Sequence, residues 1–397
     1  MKSIIILLLL VFLSNGYNYV YWDISIARRF YLILGIIIFL ISLSAKDIKL
    51  IYSDIYILLF LEPLLSIITV LTYDKGFAND NIYNLSLAPL YLLPYVYKKY
   101  HFENSEIING VIYFALIGFV IQIIQLLFPS SAVFGISHEM NSLGDYVEIR
   151  NGINRYRLDI YFESMLCLFF YWNKYIKQGK TFYLIFVFIF LFSIYIYLSR
   201  QLIFVSIFGL VFSYFFIYRK KVTFWVNILI IVSVFLVLHY SSVLFDFFVE
   251  QTTTDLTEDY VRFEALYFYW DKIISNPLSL IIGSGMPTDL YMWKIAYLYT
   301  PSDIGFVGEM FYFGLLWVLL YVYILYICLY KNRAITPSFV VIFLISSFMS
   351  CYQVFPYLFN HPDTHVLWIS LLYIALETSK ESKKVNVSHS MNYENRI

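Results

Sequence analysis

Long apolar segments follow one another along almost the whole chain, and short polar turns between them carry most of the charges. A helix needs about 20 apolar residues to cross the hydrocarbon core of a bilayer. By this measure about twelve segments are candidate transmembrane helices, of which the fourth and the twelfth are short. They are centred near residues 3–20, 28–44, 51–72, 84–97, 107–128, 159–174, 181–198, 201–218, 222–242, 304–330, 336–355 and 363–378. The pattern predicts an all-α, polytopic integral membrane protein, with residues 1–397 as a single transmembrane domain.

Basic residues mark one side of this arrangement, because they follow the even-numbered segments. The groups are Lys46 and Lys49, Lys98 and Lys99, Lys174, Lys177 and Lys180, Arg219 to Lys221, Lys331 and Arg333, and Lys380, Lys383 and Lys384. Arg28 and Arg29 are the discordant pair. Since cytoplasmic loops carry an excess of lysine and arginine, the alternation predicts that both termini are cytoplasmic.

Composition agrees with a membrane protein, because 61% of the residues are hydrophobic and 14% are charged. A soluble domain needs more charge to cover its surface. A net charge of zero argues against nucleic acid as a partner. The run Ile4–Leu13 resembles the apolar core of a signal peptide, but no small-x-small cleavage site follows it, so we expect an uncleaved first helix. His361 and His365 flank Asp363 and offer zinc ligands, yet nothing completes such a site, and we predict no metal and no cofactor.

The remaining polar residues are concentrated in two loops on the predicted outer side, at 129–158 and 245–303. The longer loop, between the ninth and tenth helices, carries nine acidic and three basic residues. Apolar positions at 259–274 follow an imperfect helical rhythm. Asn276-Pro277 ends that helix, because proline disfavours helical geometry in the residue before it. We therefore expect short helices in the long loop, and chemistry close to them.

Three charged residues are the candidate catalytic groups. Arg200 lies in a short turn on the predicted outer side, where its guanidinium can hold two phosphate oxygens or reach lipid headgroups. Arg262 lies early on the helix of the long loop, as an anion-binding group or as an ion-pair partner of acidic neighbours. Asp303 opens the tenth segment, where it suits an N-cap and can also orient or deprotonate a hydroxyl group.

Four further residues are candidates for substrate binding. Arg155 and Arg157 lie in the first outer loop, as a basic patch for an anionic ligand or as a solvated charge run. Gly283 and Gly285 belong to the segment Ile281–Gly285 near the end of the long loop. That segment lacks the lysine and the Ser or Thr of a phosphate-binding P-loop. We expect its glycines to permit a tight turn at the membrane surface.

In this order and on this side of the membrane, these features resemble the O-antigen polymerase and O-antigen ligase superfamily of polytopic membrane glycosyltransferases. The resembling parts are Leu198-Ser199-Arg200, Arg262, Ile281–Gly285, and Asp303-Ile304-Gly305 leading into Phe313-Gly314-Leu315. They cover the chain from about residue 150 to 330. The first 130 residues match only as membrane helices of a general kind.

The resemblance implies a GT-C-like fold and an inverting polymerase in the bacterial cytoplasmic (inner) membrane. Such an enzyme transfers an undecaprenyl-diphosphate-linked glycan onto a lipid-linked repeat unit, for lipopolysaccharide or capsule. By position, Arg200 and Arg262 would be the family's diphosphate-binding arginines. Ligases usually carry a histidine at the position of Asp303, which favours a polymerase. Besides the lipid-linked oligosaccharide and the bilayer, the expected partners are a chain-length regulator and a flippase.

A non-enzymatic membrane scaffold in envelope assembly is one alternative, and two others stay open. One is an O-antigen ligase, which differs in its acceptor. The other is a flippase for lipid-linked oligosaccharides, or another transporter. Transporters usually show repeat symmetry and polar residues within their helices. Here no internal repeat is visible, and Glu62 is the main charge inside an apolar segment.

Overall fold

A computed structural model describes most of the chain as helix. It covers residues 1–22, 24–45, 47–72, 87–135, 148–150, 153–156, 158, 160–197, 200–214, 264–285, 304–332, 335–349 and 362–378. In the first part of the chain the helices are α1 Lys2–Leu13, α2 Ile24–Leu43, α3 Ser53–Leu58, α4 Leu61–Thr72, α5 Leu93–Lys99 and α6 Asn104–Leu127. A 3-10 turn, Ala88–Leu92, leads directly into α5.

A short antiparallel hairpin separates these helices from the next group. Its strands are β1 Glu148–Arg150 and β2 Ile153–Arg155. The helices that follow are α7 Tyr161–Gln178, α8 Phe182–Ile196, α9 Arg200–Phe212, α10 264–275, α11 Pro277–Ile282, α12 Phe306–Tyr326, α13 Ser338–Met349 and α14 Pro362–Tyr373. The last turns of α12 and α14 widen into π-helix at Ile327–Lys331 and Ile374–Thr378.

The described part of the chain is all-helical apart from that hairpin, as the apolar pattern predicts. Each predicted apolar segment that falls on described residues contains helix, and the segment 222–242 lies outside them. Judged by length and composition, the stretches Ser53–Thr72, Asn104–Leu127 and Phe306–Lys331 can each cross a membrane. The total of twelve crossings stays a prediction.

The outer surface of the bundle carries apolar stripes. On α8, the side chains of Phe182, Ile185, Phe188, Phe192 and Tyr195 are exposed and lie three or four positions apart. That spacing places them on one face of the helix. In a water-soluble protein such a face would be polar, whereas an extended apolar surface marks contact with lipid or with a partner. Together with the long apolar helices, these stripes indicate a membrane protein.

The interior is packed with aromatic rings where α7, α12, α13 and α14 meet. The Trp368 ring lies 6.2 Å from that of Tyr321 on α12 and 6.0 Å from that of Phe343 on α13. Phe343 in turn lies 6.3 Å from Phe162 on α7. All four side chains are buried. Large buried rings contribute much of the apolar area in such a core.

Contacts between loops show which helix ends share one end of the bundle. The Lys2 ammonium donates a hydrogen bond to the His101 carbonyl oxygen at 2.6 Å and forms an ion pair with Glu106 at 3.3 Å. The Lys99 ammonium donates a hydrogen bond to the Ser44 hydroxyl. The N-terminus, the turn after α2 and the turn after α5 therefore lie together. We call this the lysine end.

The last helix is joined to the lysine end by a carboxylate. One oxygen of Glu377 accepts a hydrogen bond from the backbone N–H of Ile51 at 2.7 Å, and the other accepts one from Tyr52 at 2.8 Å. The Tyr52 hydroxyl also bonds the side-chain amide of Asn332 beyond α12, at 3.0 Å. These N–H groups lie directly before the first residue of α3. Glu377 therefore caps the N-terminal end of α3 from a helix distant along the chain.

The first outer loop lies at the other end. The Val20 backbone N–H donates to the Val133 carbonyl at 2.9 Å, so the turn after α1 contacts the loop after α6. The Gln125 amide oxygen accepts hydrogen bonds from the N–H groups of Val133 and Phe134, at 3.0 and 2.8 Å. The Tyr156 hydroxyl donates to the Gln125 carbonyl at 3.3 Å. Which end faces the cytoplasm stays a prediction.

Removing the Glu377 cap should destabilise the protein. In Glu377→Ala, two N–H groups before α3 lose their acceptor, and we expect the free energy of unfolding to fall by about 2 kcal/mol. Thermal unfolding of the purified protein in detergent measures the change. Asp271→Ala removes an exposed carboxylate on α10 and should shift the free energy by less than about 0.5 kcal/mol. Equal unfolding midpoints for the two variants would show that the Glu377 cap does not contribute to the stability of the protein.

Candidate functional site

The predicted site residues differ in how far the structure describes them. Asp303, Arg262 and Arg157 lie outside the described residues. Arg200 is the first residue of α9, and its backbone alone is described. Arg155 lies on β2 and is likewise described by its backbone alone. Whether these charged residues meet around one ligand therefore stays a prediction.

Gly283 and Gly285 are fully described and contact a break in α12. The break is at Gly314, where φ is +76° and ψ is 178°. A helix that stops leaves its last carbonyl groups without partners in the helix. Here the Ser284 N–H donates to the Phe311 carbonyl at 2.6 Å, and the Gly285 N–H donates to the Tyr312 carbonyl at 3.1 Å. The loop after α11 therefore supplies hydrogen-bond donors to the carbonyl groups at the break in the helix. We call the contact of Ile281–Gly285 with Phe311–Gly314 the glycine interlock.

The interlock requires glycine on both sides. A Cβ atom added to Gly283 would lie 2.3 Å from the Tyr312 carbonyl oxygen, and one added to Gly314 would lie 2.2 Å from that of Ile281. Both glycines combine a positive φ with a ψ near 180°, a conformation that is essentially restricted to glycine. The expected tight turn is present, and its physical reason is the close approach of two backbones.

Gly285 extends the interlock to a third element. A Cβ atom at Gly285 would lie 2.6 Å from the Thr69 hydroxyl oxygen on α4. The Ser279 and Ser284 hydroxyls form a hydrogen bond with each other at 2.9 Å, which closes the turn after α11.

The boundary between α10 and α11 lies at Asn276. Its side chain accepts a hydrogen bond from the Leu278 N–H at 3.0 Å. Asn276 thus separates α10, which stops before the proline as predicted, from α11, which begins at Pro277.

The break makes α12 fold back. The rings of Phe306 and Tyr321 have centroids 5.9 Å apart, although these residues would be separated by about 22 Å along a straight helix. The eight residues 306–313 therefore form a two-turn helix that bends towards the second half of α12. Buried backbone groups need hydrogen-bond partners, and the interlock supplies them to the carbonyls of Phe311 and Tyr312.

The two-turn helix carries a buried carboxyl group into the interior. Glu309 is 8% exposed, and Glu62 on α4 is 1% exposed. The Tyr91 hydroxyl donates a hydrogen bond to Glu62 at 2.5 Å. Glu309 lies within electrostatic range of both Glu62 and Tyr91. Within the part of the chain that the structure covers, no hydrogen bond reaches the Glu309 carboxyl group.

A histidine from α14 completes this group. The His365 ring lies 5.9 Å from the ring of Tyr91, and His365 is 1% exposed. We call Glu62, Tyr91, Glu309 and His365 the acidic cluster. Of the zinc ligands considered above, His361 lies outside the described residues. No group of three or more His, Cys, Asp or Glu side chains among the residues covered has the arrangement of a metal site.

The acidic cluster is a candidate site for chemistry. Ionisable residues inside a membrane bundle are expensive and are usually functional. Glu62 accepts a hydrogen bond from Tyr91, whereas none of the described residues donates one to Glu309. The sequence shows Glu62 as an unusual charge and Glu309 beside the Asp303 motif. It does not show that Glu309 is buried in the interior.

Alanine at Gly314 should disrupt the interlock. Gly314→Ala places a methyl group against the Ile281 carbonyl, and the alanine must adopt a positive φ that L residues avoid. We therefore expect the free energy of unfolding to fall by about 3 kcal/mol or more. Gly179→Ala is a matched comparison, because Gly179 also has a positive φ but nothing lies within 4 Å of an added Cβ. It should lose only about 1 kcal/mol. Size-exclusion profiles and unfolding midpoints measure both, and equal losses would contradict a steric interlock.

A comparison of the chain with protein-family models, with curated proteins and with solved structures found no match. A function for this protein therefore rests on its own residues and contacts.

Proposed function

We propose that this protein is a polysaccharide polymerase of the O-antigen polymerase kind, located in the bacterial cytoplasmic membrane with both termini inside. It would transfer a glycan from undecaprenyl diphosphate onto a lipid-linked repeat unit. The observation that supports this most is the glycine interlock. Two separate motifs of the resemblance, Ile281–Gly285 and Phe313-Gly314-Leu315, are in direct backbone contact.

The donor side of the reaction needs positive charge. When the bond from C1 to the diphosphate breaks, negative charge builds on the departing phosphate oxygens. Arginine forks preorganised around these oxygens stabilise that charge, and this role falls to Arg200 and Arg262. Arg155 and Arg157 would add to the attraction for the anionic donor. The lipid-facing stripes suit a substrate whose polyprenyl tail stays in the bilayer.

The acceptor side needs a group that orients a sugar hydroxyl and takes its proton. Inversion requires this hydroxyl to approach C1 from the face opposite the diphosphate. A carboxylate at the start of α12 suits this task, with Asp303 as the residue expected from the sequence. The interlock supports the site because it anchors the two-turn helix that begins at Phe306.

A transporter of lipid-linked oligosaccharide is the second candidate. The observation that favours it is the pair of buried carboxyl groups, Glu62 and Glu309, because intramembrane carboxyl groups also line ion and proton pathways. The polymerase is preferred because it accounts for both the polar loop 245–303 and the interlock, which a transport pathway does not require.

Arg262→Ala should abolish polymer formation. In a strain that lacks this protein, complementation with Arg262→Ala should reduce polymer by about 100-fold or more, because one preorganised donor to the leaving group is lost. Surface glycan resolved by size on a gel should collapse to single-repeat species. Lys272→Ala removes an exposed basic residue of the same loop and should leave the ladder intact.

Other outcomes separate the alternatives. A full-length ladder that remains on its lipid carrier would indicate a ligase. Loss of every external glycan, with precursors held inside the cell, would indicate a flippase. A normal ladder from Arg262→Ala at normal protein levels would overturn the assignment of this arginine.

A further inference from the structure

We propose that Glu309, on the two-turn helix that the interlock anchors, is the carboxylate that takes the proton from the acceptor hydroxyl. This inference rests on the proposed function, and it replaces Asp303 as the expected base. It starts from a buried carboxyl group to which none of the described residues donates a hydrogen bond.

The position of Glu309 is defined at both ends of the two-turn helix. At its start, the Glu309 N–H donates to the Gly305 carbonyl at 3.2 Å, and Gly305 has a φ of +55° and a ψ of −126°, which suits glycine. At its end, the interlock holds the carbonyls of Phe311 and Tyr312. Glu309 therefore lies on a short, anchored helix and not on a free loop.

The two carboxyl groups have different surroundings. Glu62 already accepts the hydroxyl proton of Tyr91, and this contact holds its side chain against the turn before α5. Glu309 receives no hydrogen bond from the residues that the structure describes, although its side chain is buried and only 8% exposed. Burying a carboxyl group without hydrogen-bond donors is unfavourable. A sugar hydroxyl would supply the missing donor.

The surroundings of Glu309 leave its carboxyl group available to a ligand. A general base must come within hydrogen-bond reach of the proton that it takes. The Tyr91 hydroxyl already occupies Glu62, whereas none of the described residues donates a hydrogen bond to Glu309. The Glu309 oxygens can therefore accept a hydrogen bond from a sugar hydroxyl.

The proposed step balances without a cofactor. The acceptor oxygen forms a bond to C1 of the donor as the bond from C1 to the diphosphate oxygen breaks. The bonding electrons leave with the diphosphate, which Arg200 and Arg262 would hold. The hydroxyl proton passes to Glu309 and is later released to water. No oxidation or reduction takes place.

The test uses the full-length protein in lipid vesicles with an undecaprenyl-diphosphate-linked repeat unit, and measures polymer formed per unit time. Glu309→Gln keeps the shape of the side chain but cannot take a proton. We expect its rate to fall by about 10²–10⁴-fold, with an unchanged unfolding midpoint and an unchanged KM for the donor. Glu106→Gln changes a carboxylate at the lysine end and should keep the wild-type rate.

The outcomes separate this inference from the function on which it rests. If the wild-type protein makes no polymer, the proposed function fails. If it makes polymer and Glu309→Gln works within about threefold of it, the inference fails and the function stands. Loss of activity in Asp303→Asn but not in Glu309→Gln would return the role of base to Asp303.

A variant that keeps a carboxylate covers the case in which Glu309→Gln is unstable. Glu309→Asp retracts the carboxylate by one methylene group. A folded Glu309→Asp protein with a reduced rate and a shifted acid limb of its pH–rate profile supports a base at this position. The wild-type rate and an unshifted profile would overturn it.

Discussion

The hydrogen bonds from Ser284 and Gly285 to the carbonyls of Phe311 and Tyr312 are the constraint on which this site depends. A broken helix that packs in the protein interior must find partners for its backbone groups within the protein. The loop after α11 provides these partners, and glycines at 283 and 314 allow the two backbones to approach. Without this contact, the bend in α12 would leave the carbonyl groups of Phe311 and Tyr312 without these hydrogen bonds. The bend brings Glu309 into the interior, so the contact with the loop after α11 also determines where this buried carboxyl group lies.

The buried carboxyl groups set a second constraint. A carboxyl group in an apolar interior is unfavourable unless it is hydrogen-bonded. Tyr91 satisfies one oxygen of Glu62, whereas the part of the chain that the structure describes does not satisfy Glu309. Such groups inside a membrane protein are usually functional. The acidic cluster is therefore the part of the interior to which we assign the proposed chemistry.

The two ends of the bundle differ in kind. At the lysine end, contacts such as that of Glu377 with the N–H groups of Ile51 and Tyr52 join elements distant along the chain, and they account for stability. The interlock and the acidic cluster involve elements that begin or end at the opposite loops. In the proposed function, a substrate whose tail lies in lipid and whose sugars lie in water would meet the protein at that end.

The sequence by itself determined the helices, because the length and apolar character of each segment are local properties that a bilayer selects. It also determined where α10 stops, since Pro277 acts on the residue directly before it. It showed Gly283, Gly285 and Glu62 as unusual, and it left Arg200, Arg262 and Asp303 as predictions for a ligand site. Only the tertiary structure decided that Gly283 meets Tyr312, that α12 breaks at Gly314 and that Tyr91 bonds Glu62. These contacts join residues far apart along the chain, and neither periodicity nor local propensity specifies which distant backbones pack together.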